Sequence, residues 1–297
     1  MCLENNSPKI CAGITVYNPE IDRLSENIRA SILQVERVYL IDNASANIEK
    51  IRNFKRDNVI LIENDSNMGV AYALNQMCNR AIEDGYDYIL TLDQDSLPEP
   101  DLIKRYMPYL NFENVALITP NFFDDNEKEL TFPNDEEYTF VHRCNTSASL
   151  VKLSAFKDVG GFDNNMFIDC VDFDFCTTLL ENGYRILRLN DAVLHHRLGD
   201  AKEVRFFIPF GKLFGIKKLQ KPFYTYNHSP LRTYYYARNI RYYVYKHKNF
   251  IDIKKEKAVY FQWLVLKIGF EKQKFKKIKA ILKGKKDAKK MIKENIE

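Results

Sequence analysis

No apolar run in this 297-residue chain reaches the roughly 18–20 residues that a membrane-spanning helix needs. The nearest approach, Ala258 to Phe270, is short and is interrupted by Gln262 and Lys267. The N-terminal residues MCLENNSPKICAG lack the apolar stretch of a secretion signal, so a cytoplasmic chain is expected. The six cysteines (Cys2, Cys11, Cys78, Cys144, Cys170 and Cys176) show no CxxC spacing, which argues against a structural zinc site. Free thiols in a reducing compartment are the expectation. Neither a GxGxxG nor a Walker loop is present, so the dinucleotide and P-loop fingerprints are missing. There is no internal repeat, and the only biased tract is the Lys-rich end. With 45% hydrophobic and 28% charged residues, the chain is not a disordered one.

Charge is present in quantity and is unevenly placed. Residues 1–200 hold 18 Lys and Arg against 33 Asp and Glu, a net of −15. Residues 201–297 hold 26 against 7, a net of +19, so the overall +4 conceals two parts with opposite preferences. A domain over 1–200 and a basic, aromatic-rich loop and helical region over 201–297 are expected. The acidic part suits a divalent cation or a metal-neutralised ligand, and disfavours a nucleic-acid groove. The basic part suits anions, including an anionic membrane surface.

The first 120 residues alternate short β-rich runs with helix-like segments. Strands are predicted at Ile10–Tyr17, Arg37–Ile41, Val59–Glu63, Tyr86–Leu92 and Val115–Thr119, with helices near 20–34, 46–55, 69–84 and 99–110. This alternation implies an α/β fold with a mostly parallel sheet covered on both faces. Ligands sit beyond the carboxyl ends of such strands. Three polar clusters fall there: Tyr17 to Pro19, Asp42 to Ser45, and Asp93 to Ser96. Further on, Phe122–Phe132 reads as a hairpin with an acidic turn. A helix ending near Asn182 is followed by two short strands, near 185–189 and 192–195. Loops and broken helices are expected after residue 200, and helix over the last fifty residues.

Asp93 and Asp95 alternate on an extended chain end, a spacing at which two carboxylates share a hard cation such as Mg²⁺ or Mn²⁺. Acidic pairs also mark ordinary turns, so this DxD alone decides little. His196 offers a third ligand from a distant segment, or is a packed histidine; His195 has the opposite strand parity. Asp169, Asp172 and Asp174 crowd a helix start, where two readings stand open. They cap the helix, or their mutual repulsion raises one pKa toward the range of a general base. Asn64–Asn75 (NDSNMGVAYALN) enters a helix through a small-residue turn that permits close backbone approach to a ligand.

In this order over about 190 residues, ITVYNP, LIDNAS, NMGVAYALN, LDQDS, the GGFD to FID and Asp174 run, and HRLGD resemble the inverting glycosyltransferases of family 2. TLDQDS, FIDCVDFDFC, HHRLGD and SPLRTYYYARN resemble its bacterial rhamnosyltransferase-like members, which build cell-surface polysaccharides. The resemblance implies a GT-A fold, a nucleotide-diphospho-sugar donor, and a glycan or lipid-linked glycan acceptor. L-rhamnose from dTDP-rhamnose is the first expectation and a UDP-sugar the alternative.

The same resemblance implies roles. Tyr17 and Asp42 contact base and ribose, Asp42 reading the pyrimidine, while Asn67 and Gly69 line the nucleotide pocket. Asp93 and Asp95 hold Mg²⁺ or Mn²⁺ on the diphosphate, with His196 as a further ligand. Asp172 matches the catalytic base, although Val171 stands where many members have Glu, which keeps Asp169 and Asp174 as alternatives. Arg232 and Arg238 are placed near the diphosphate or the acceptor. Such a transfer needs one base and one metal and no enzyme nucleophile.

Two other classes fit parts of the sequence. LTLDQDS also resembles the DxD motif of haloacid-dehalogenase-type phosphatases, but those carry it on their first strand. A non-catalytic nucleotide-sugar-binding scaffold is the other. Finally, Ala258–Leu282 sets Val259, Trp263, Leu266 and Phe270 among Lys267, Lys272, Lys274, Lys276, Lys277 and Lys279. That composition suits an interfacial helix on anionic lipid at the inner face of the cell membrane, or an apolar face packed on the rest of the chain.

Overall fold

The computed structural model describes residues 7–124, 136–196 and 202–294, and the side chains of these except at 122–124, 195, 196 and 218. The chain divides into two units, residues 1–196 and 197–297.

The first unit is built on β1 (Ile10–Val16), α1 (Ile21–Ile32), β2 (Val38–Asp42), α2 (Ile48–Arg52), β3 (Val59–Glu63), α3 (Val70–Glu83) and β4 (Tyr88–Asp93). It continues with α4 (Leu102–Tyr106), β5 (Val115–Asp124), β6 (Tyr138–Val141), β7 (Ser149–Lys152), α5 (Leu153–Asp158), α6 (Val171–Glu181) and β8 (Arg185–His196). The eight strands form one sheet in the order β3-β2-β1-β4-β7-β5-β8-β6. Strands β1 to β4 run parallel, as do β5 and β8, while β7 and β6 are antiparallel to their neighbours.

All five residues of β2 (VYLID) are buried, as a strand covered on both faces requires. Helix α1 presents Leu24, Ile28 and Ser31 to the core, and α3 presents Ala71, Leu74, Met77, Cys78 and Ala81. The small residues of α3 let it lie close to the sheet: a Cβ on Gly13 of β1 would meet Met77 Sδ at 2.5 Å. Because β1, β2 and β4 are parallel and adjacent, their carboxyl ends finish together. Val16 pairs with Asp42, and Thr15 with Asp93.

Several expectations need correction here. The two short strands predicted near 185–189 and 192–195 are one strand, β8. Its pairing with β5 shifts register between Pro120 and Asn121, so a bulge takes up the polar residues that look like a turn in sequence. Strand β5 runs on to Asp124 instead of ending at Thr119, and the rest of the predicted 122–132 hairpin lies outside the described residues. Strands β6 and β7, each four residues long, were not foreseen.

The second unit comprises β9 (Lys202–Val204), α7 (Ile208–Leu213), a 3-10 turn (Lys217–Gln220), β10 (Phe223–Thr225), α8 (Pro230–Lys246), α9 (Ile253–Phe270) and α10 (Lys274–Glu294). Where broken helices were expected, α8 runs unbroken for 17 residues, with the Ser229 hydroxyl accepting the Arg232 amide at its start. Gly284 lets α10 approach α8, since a Cβ there would lie 2.7 Å from the Tyr234 carbonyl oxygen. The long amphipathic helix expected over Ala258–Leu282 is two helices, separated at Glu271 to Gln273. Lys267 and Lys277, expected among the solvent- or lipid-facing lysines, are buried. Their ammonium groups donate to the two oxygens of Glu271 at 2.6 and 2.5 Å.

Burial lowers the Lys267 pKa against the pull of Glu271. Burial alone would raise the Glu271 carboxyl, but the bonds from both lysines outweigh it and hold it below its ordinary value. His228, 3.3 Å from Lys267 Nζ, is pushed down to about 4, first by burial and then by Lys267 and Arg232.

Candidate active site

The site is assembled where β1, β2 and β4 end. Beyond β1, Tyr17 is 48% exposed and its amide donates to Gln94 Oε1 at 2.8 Å. Asn18 turns the chain with a φ of 48°, its amide donating to Ser45 Oγ and its side-chain oxygen accepting the Ala46 amide. Asp42 closes β2 and is 1% exposed. One of its oxygens accepts the Ser45 amide at 3.0 Å; the other, Oδ1, is buried and finds no donor among the described residues. An unmatched buried carboxylate oxygen is costly, and a ligand N–H is the natural remedy.

The turn after β4 is fixed from two sides. Asn27 Nδ2 donates to the Asp93 carbonyl and Arg23 Nε to the Asp95 carbonyl, both at 2.8 Å. From the other side the Asp93 amide donates to Ser147 Oγ at 3.1 Å, and Ser147 shares a 2.6 Å hydrogen bond with Ser96. Every one of these bonds holds backbone or a hydroxyl, so the turn is rigid while the Asp95 side chain stays exposed. Two carboxylates on a rigid turn suit a hard divalent cation that keeps positions open for phosphate oxygens. Among the described residues, no three His, Cys, Asp or Glu side chains gather as a metal site. The His196 side chain and residues 197–201 lie outside the described residues. Of His196 the structure gives the backbone, the last of β8, paired with Asp124.

Asn67 and Gly69 lead into α3. Asn67 Oδ1 accepts the Gly69 amide at 3.0 Å, and Asn43 Nδ2 donates to the Gly69 carbonyl. The Val70 amide donates to the Phe167 carbonyl at 2.7 Å, which ties this loop to the acidic segment ahead of α6. Asn75 reinforces the tie, exchanging hydrogen bonds with the Phe162 backbone.

In that segment Asp169 and Cys170 both have φ of 64°, a left-handed pair without glycine. Cys170 occupies the cap position of α6 and its side chain makes no capping bond, while Asp172 and Asp174 lie in the first turn, where Asp172 accepts the Phe173 amide, so the capping reading and the base reading both stand. Asp172 and Asp174 sit two apart on α6 and so face different ways. Asp174 is 1% exposed, while Asp172 is only part-buried. Burial pushes the Asp172 carboxyl up to about 6, helped by the charges of Asp169 and Asp93 and opposed by the Phe173 amide, which donates to Oδ1 at 3.0 Å. The β4 turn and the start of α6 are therefore close enough for their carboxylates to feel one another. Ser147 also borders a pocket of about 250 Å³ lined by Thr119, Asn121, Arg143, Asn145 and Arg188. Arg143 lies over the Phe173 ring at 4.8 Å.

The sequence reading missed Arg23, Asn27 and Ser147, which hold the β4 turn. Asn27 left a signal: a polar residue on the apolar stripe of α1, between Leu24 and Ser31. Arg232 and Arg238 fall on α8 in the second unit, Arg238 bonded to Asn239 and 5.0 Å from the Tyr235 ring centre.

The model of glycosyl transferase family 2 matches residues 11–169, which includes the ends of β1, β2 and β4 and the segment before α6. The chain belongs to this family. This glycosyl transferase is 29% identical over 245 residues to the dTDP-rhamnosyl transferase RfbF of Shigella flexneri, covering 77% of this chain and 78% of that protein. It is also 29% identical over 149 residues to the rhamnosyltransferase WbbL of Escherichia coli K12, covering 41% and 55%.

Among solved structures, it resembles the mannosyltransferase PcManGT from Pyrobaculum calidifontis in complex with GDP-Man and Mn²⁺. The TM-score is 0.58 at 14% identity, over 95% of this chain and 74% of that one. It also resembles S. aureus TarS in complex with UDP-GlcNAc, with a TM-score of 0.59 at 14% identity over 94% and 80%. Similarity at that identity speaks to the fold, which is GT-A. Asp93 closes the fourth strand, not the first, which leaves the phosphatase reading without support.

Proposed function

We propose that this transferase moves L-rhamnose from dTDP-rhamnose to a hydroxyl of a glycan or lipid-linked glycan acceptor, with inversion, in the synthesis of a surface polysaccharide. The rhamnosyl transferases RfbF and WbbL support the choice of sugar. The observation that carries the chemistry is the placing of Asp172 at the start of α6 beside Asp169 and near Asp93, where burial first and then those charges raise its carboxyl. A carboxylate with a pKa of about 6 is ionised at neutral pH and still basic enough to take a proton.

In this reading Asp172 takes the acceptor hydroxyl's proton as that oxygen attacks the anomeric carbon from the face opposite the leaving group. The bond to the diphosphate breaks in the same step, and the proton later passes from Asp172 to solvent. Asp169 and Asp174 are the alternatives for the base: Asp169 adds to the field that keeps Asp172 basic, and Asp174 is turned into the interior. Asp42 Oδ1 accepts the pyrimidine N3–H, Tyr17 lies along the base and ribose, and the Asn67–Gly69 turn borders the nucleotide.

Asp93, Asp95 and His196 are the proposed holders of Mg²⁺ or Mn²⁺, and a cation bound there would offset charge on the departing diphosphate. Arg232 and Arg238 are assigned to the diphosphate or the acceptor on the family resemblance. The pocket beyond Ser147, with Arg143 and Arg188, is proposed to receive the acceptor.

Thymine and uracil both present the N3–H that Asp42 Oδ1 lacks, so a UDP-sugar is the second reading. A screen of purified protein with dTDP-rhamnose and common UDP-sugars, with Mg²⁺ or Mn²⁺ and with a chelator, separates them. Hydrolysis of dTDP-rhamnose above all others, abolished by the chelator, is expected. Turnover of none of these donors would overturn the proposal, as would undiminished turnover in the chelator for the metal.

A further inference from the structure

The second unit carries an exposed apolar face that the transfer chemistry does not use. Within eleven residues, five large side chains face solvent: Phe206 (61% exposed), Phe210 (48%), Leu213 (76%), Phe214 (68%) and Ile216 (46%). Soluble surfaces scatter such residues singly, and a contiguous set marks an interaction site.

These side chains are held outward by a rigid base. Phe206 packs on Phe207, Phe210 and Phe270, with ring centres 5.3 to 5.9 Å apart, and Phe207 packs on Phe223. The turn between α7 and the 3-10 segment is tight. Gly211 abuts Leu219, where a Cβ would lie 2.6 Å from a backbone carbon, and its carbonyl accepts the Ile216 amide at 2.9 Å. Leu213 and Phe214 at the tip are thus presented rather than tucked in. Beside them an apolar cavity of about 240 Å³ is lined by Phe207, Leu219, Phe223, Phe261, Val265 and Leu266.

The charge within the Phe206–Lys221 segment has one sign, and the exposed Glu203 just before it is paired with Arg205 at 2.6 Å. Lys212, Lys217 and Lys221 are exposed among the apolar residues, and no acidic residue occurs between Glu203 and Asp252. A segment whose own charges are all cationic repels a second copy of itself and attracts a polyanionic surface. Aromatic and aliphatic side chains that enter the acyl boundary, ringed by lysines at headgroup level, are the chemistry of interfacial attachment. We propose that Phe206–Lys221 is the segment by which this protein docks on an anionic phospholipid bilayer, with Leu213 and Phe214 inserted and Lys212, Lys217 and Lys221 on the headgroups. This centres the contact on α7 and the turn after it instead of on the lysines of Ala258–Leu282, of which Lys267 and Lys277 are buried on Glu271. The proposal is independent of which sugar is transferred.

The test is co-sedimentation of the full chain with vesicles of phosphatidylcholine alone or mixed with phosphatidylglycerol. The mixed vesicles are expected to bind the protein, less so as salt rises. The double variant Leu213→Ser/Phe214→Ser alters only exposed side chains. It is expected to lose binding about tenfold or more while keeping its circular dichroism melt and its donor hydrolysis. Lys212→Glu/Lys217→Glu should lose at least as much, since each lysine near the surface is worth about fivefold. A double serine variant that binds like wild type overturns the proposal, as does wild-type protein that ignores the mixed vesicles. Light scattering that shows a dimer broken by the serine variant also overturns it, in favour of a second copy.

Discussion

Gly69 and Phe167 approach so closely that no side chain fits between them. A Cβ on Gly69 would lie 2.5 Å from the Phe167 carbonyl oxygen, which already accepts the Val70 amide at 2.7 Å. Gly69 also has a φ of 90°, open to glycine and strained for other residues. One contact therefore fixes the nucleotide-side loop to the segment that leads into Asp172. Gly69→Ala should lower the unfolding free energy by about 2–5 kcal/mol, combining backbone strain with overpacking. Urea denaturation measures it. A loss within about 0.5 kcal/mol, the range of an ordinary surface change, would show that the two loops are not locked.

Asp172 is expected to leave its mark on both rate and stability. As base it must be ionised, so kcat/KM should rise with pH through about 6 and then level off. Its pKa is raised in the fold, so folding favours the protonated form. Relative to a neutral side chain, Asp172 stabilises nothing at neutral pH and opposes folding by about 1–3 kcal/mol there. Asp172→Asn should therefore melt higher than wild type near neutral pH, and the gain should fade below a pH of about 4, where both states are protonated. Melting curves across that range decide it. A variant less stable than wild type at neutral pH would contradict the assignment.

Asp42 offers a cleaner test of the nucleotide pocket. Its Oδ1 has no partner among the described residues, and among them removing the carboxylate sacrifices the Ser45 bond alone in the free enzyme. Asp42→Ala should weaken donor binding about 10- to 100-fold, the worth of a hydrogen bond to a charged group. Saturated turnover should stay within a few-fold. Calorimetric titration with dTDP gives the answer, and unchanged affinity would remove Asp42 from the pocket.

The buried Lys267, Glu271 and Lys277 triad should behave asymmetrically. Glu271→Gln strands two buried ammonium groups and is expected to destabilise by about 3–5 kcal/mol. Lys267→Met leaves Glu271 paired with Lys277 and should lose much less. Denaturation of the two variants side by side checks this, and equal losses would contradict the shared-carboxylate picture.

Much of this was legible in the sequence, for local reasons. The strands β1 to β4 announce themselves as short β-rich runs, and the polar residues after them mark where they end. Asp42 and Asp93 could be placed because a strand end is a sequence-local event. What pairs across the sheet was not legible. Strands β6 and β7 are too short to show periodicity, and the β8 bulge reads as a turn because its polar residues meet β5 rather than solvent. The left-handed Cys170 carries no glycine to signal it. Lys267 and Lys277 counted as surface charge because Glu271, the residue that buries them, sits in the break between two helices that were read as one. Ser147 shows the same limit, since its work on the Asp93 amide depends on a partner 54 residues away.

The proposed role of Asp172 turns on separating proton removal from donor binding. The direct measurement is single-turnover transfer by wild type and Asp172→Asn, alongside donor affinity by titration calorimetry. Donor binding is expected to remain within about threefold, with turnover falling by about 10²–10⁴, the usual worth of a positioned general base. Turnover within tenfold of wild type would show that another group takes the proton.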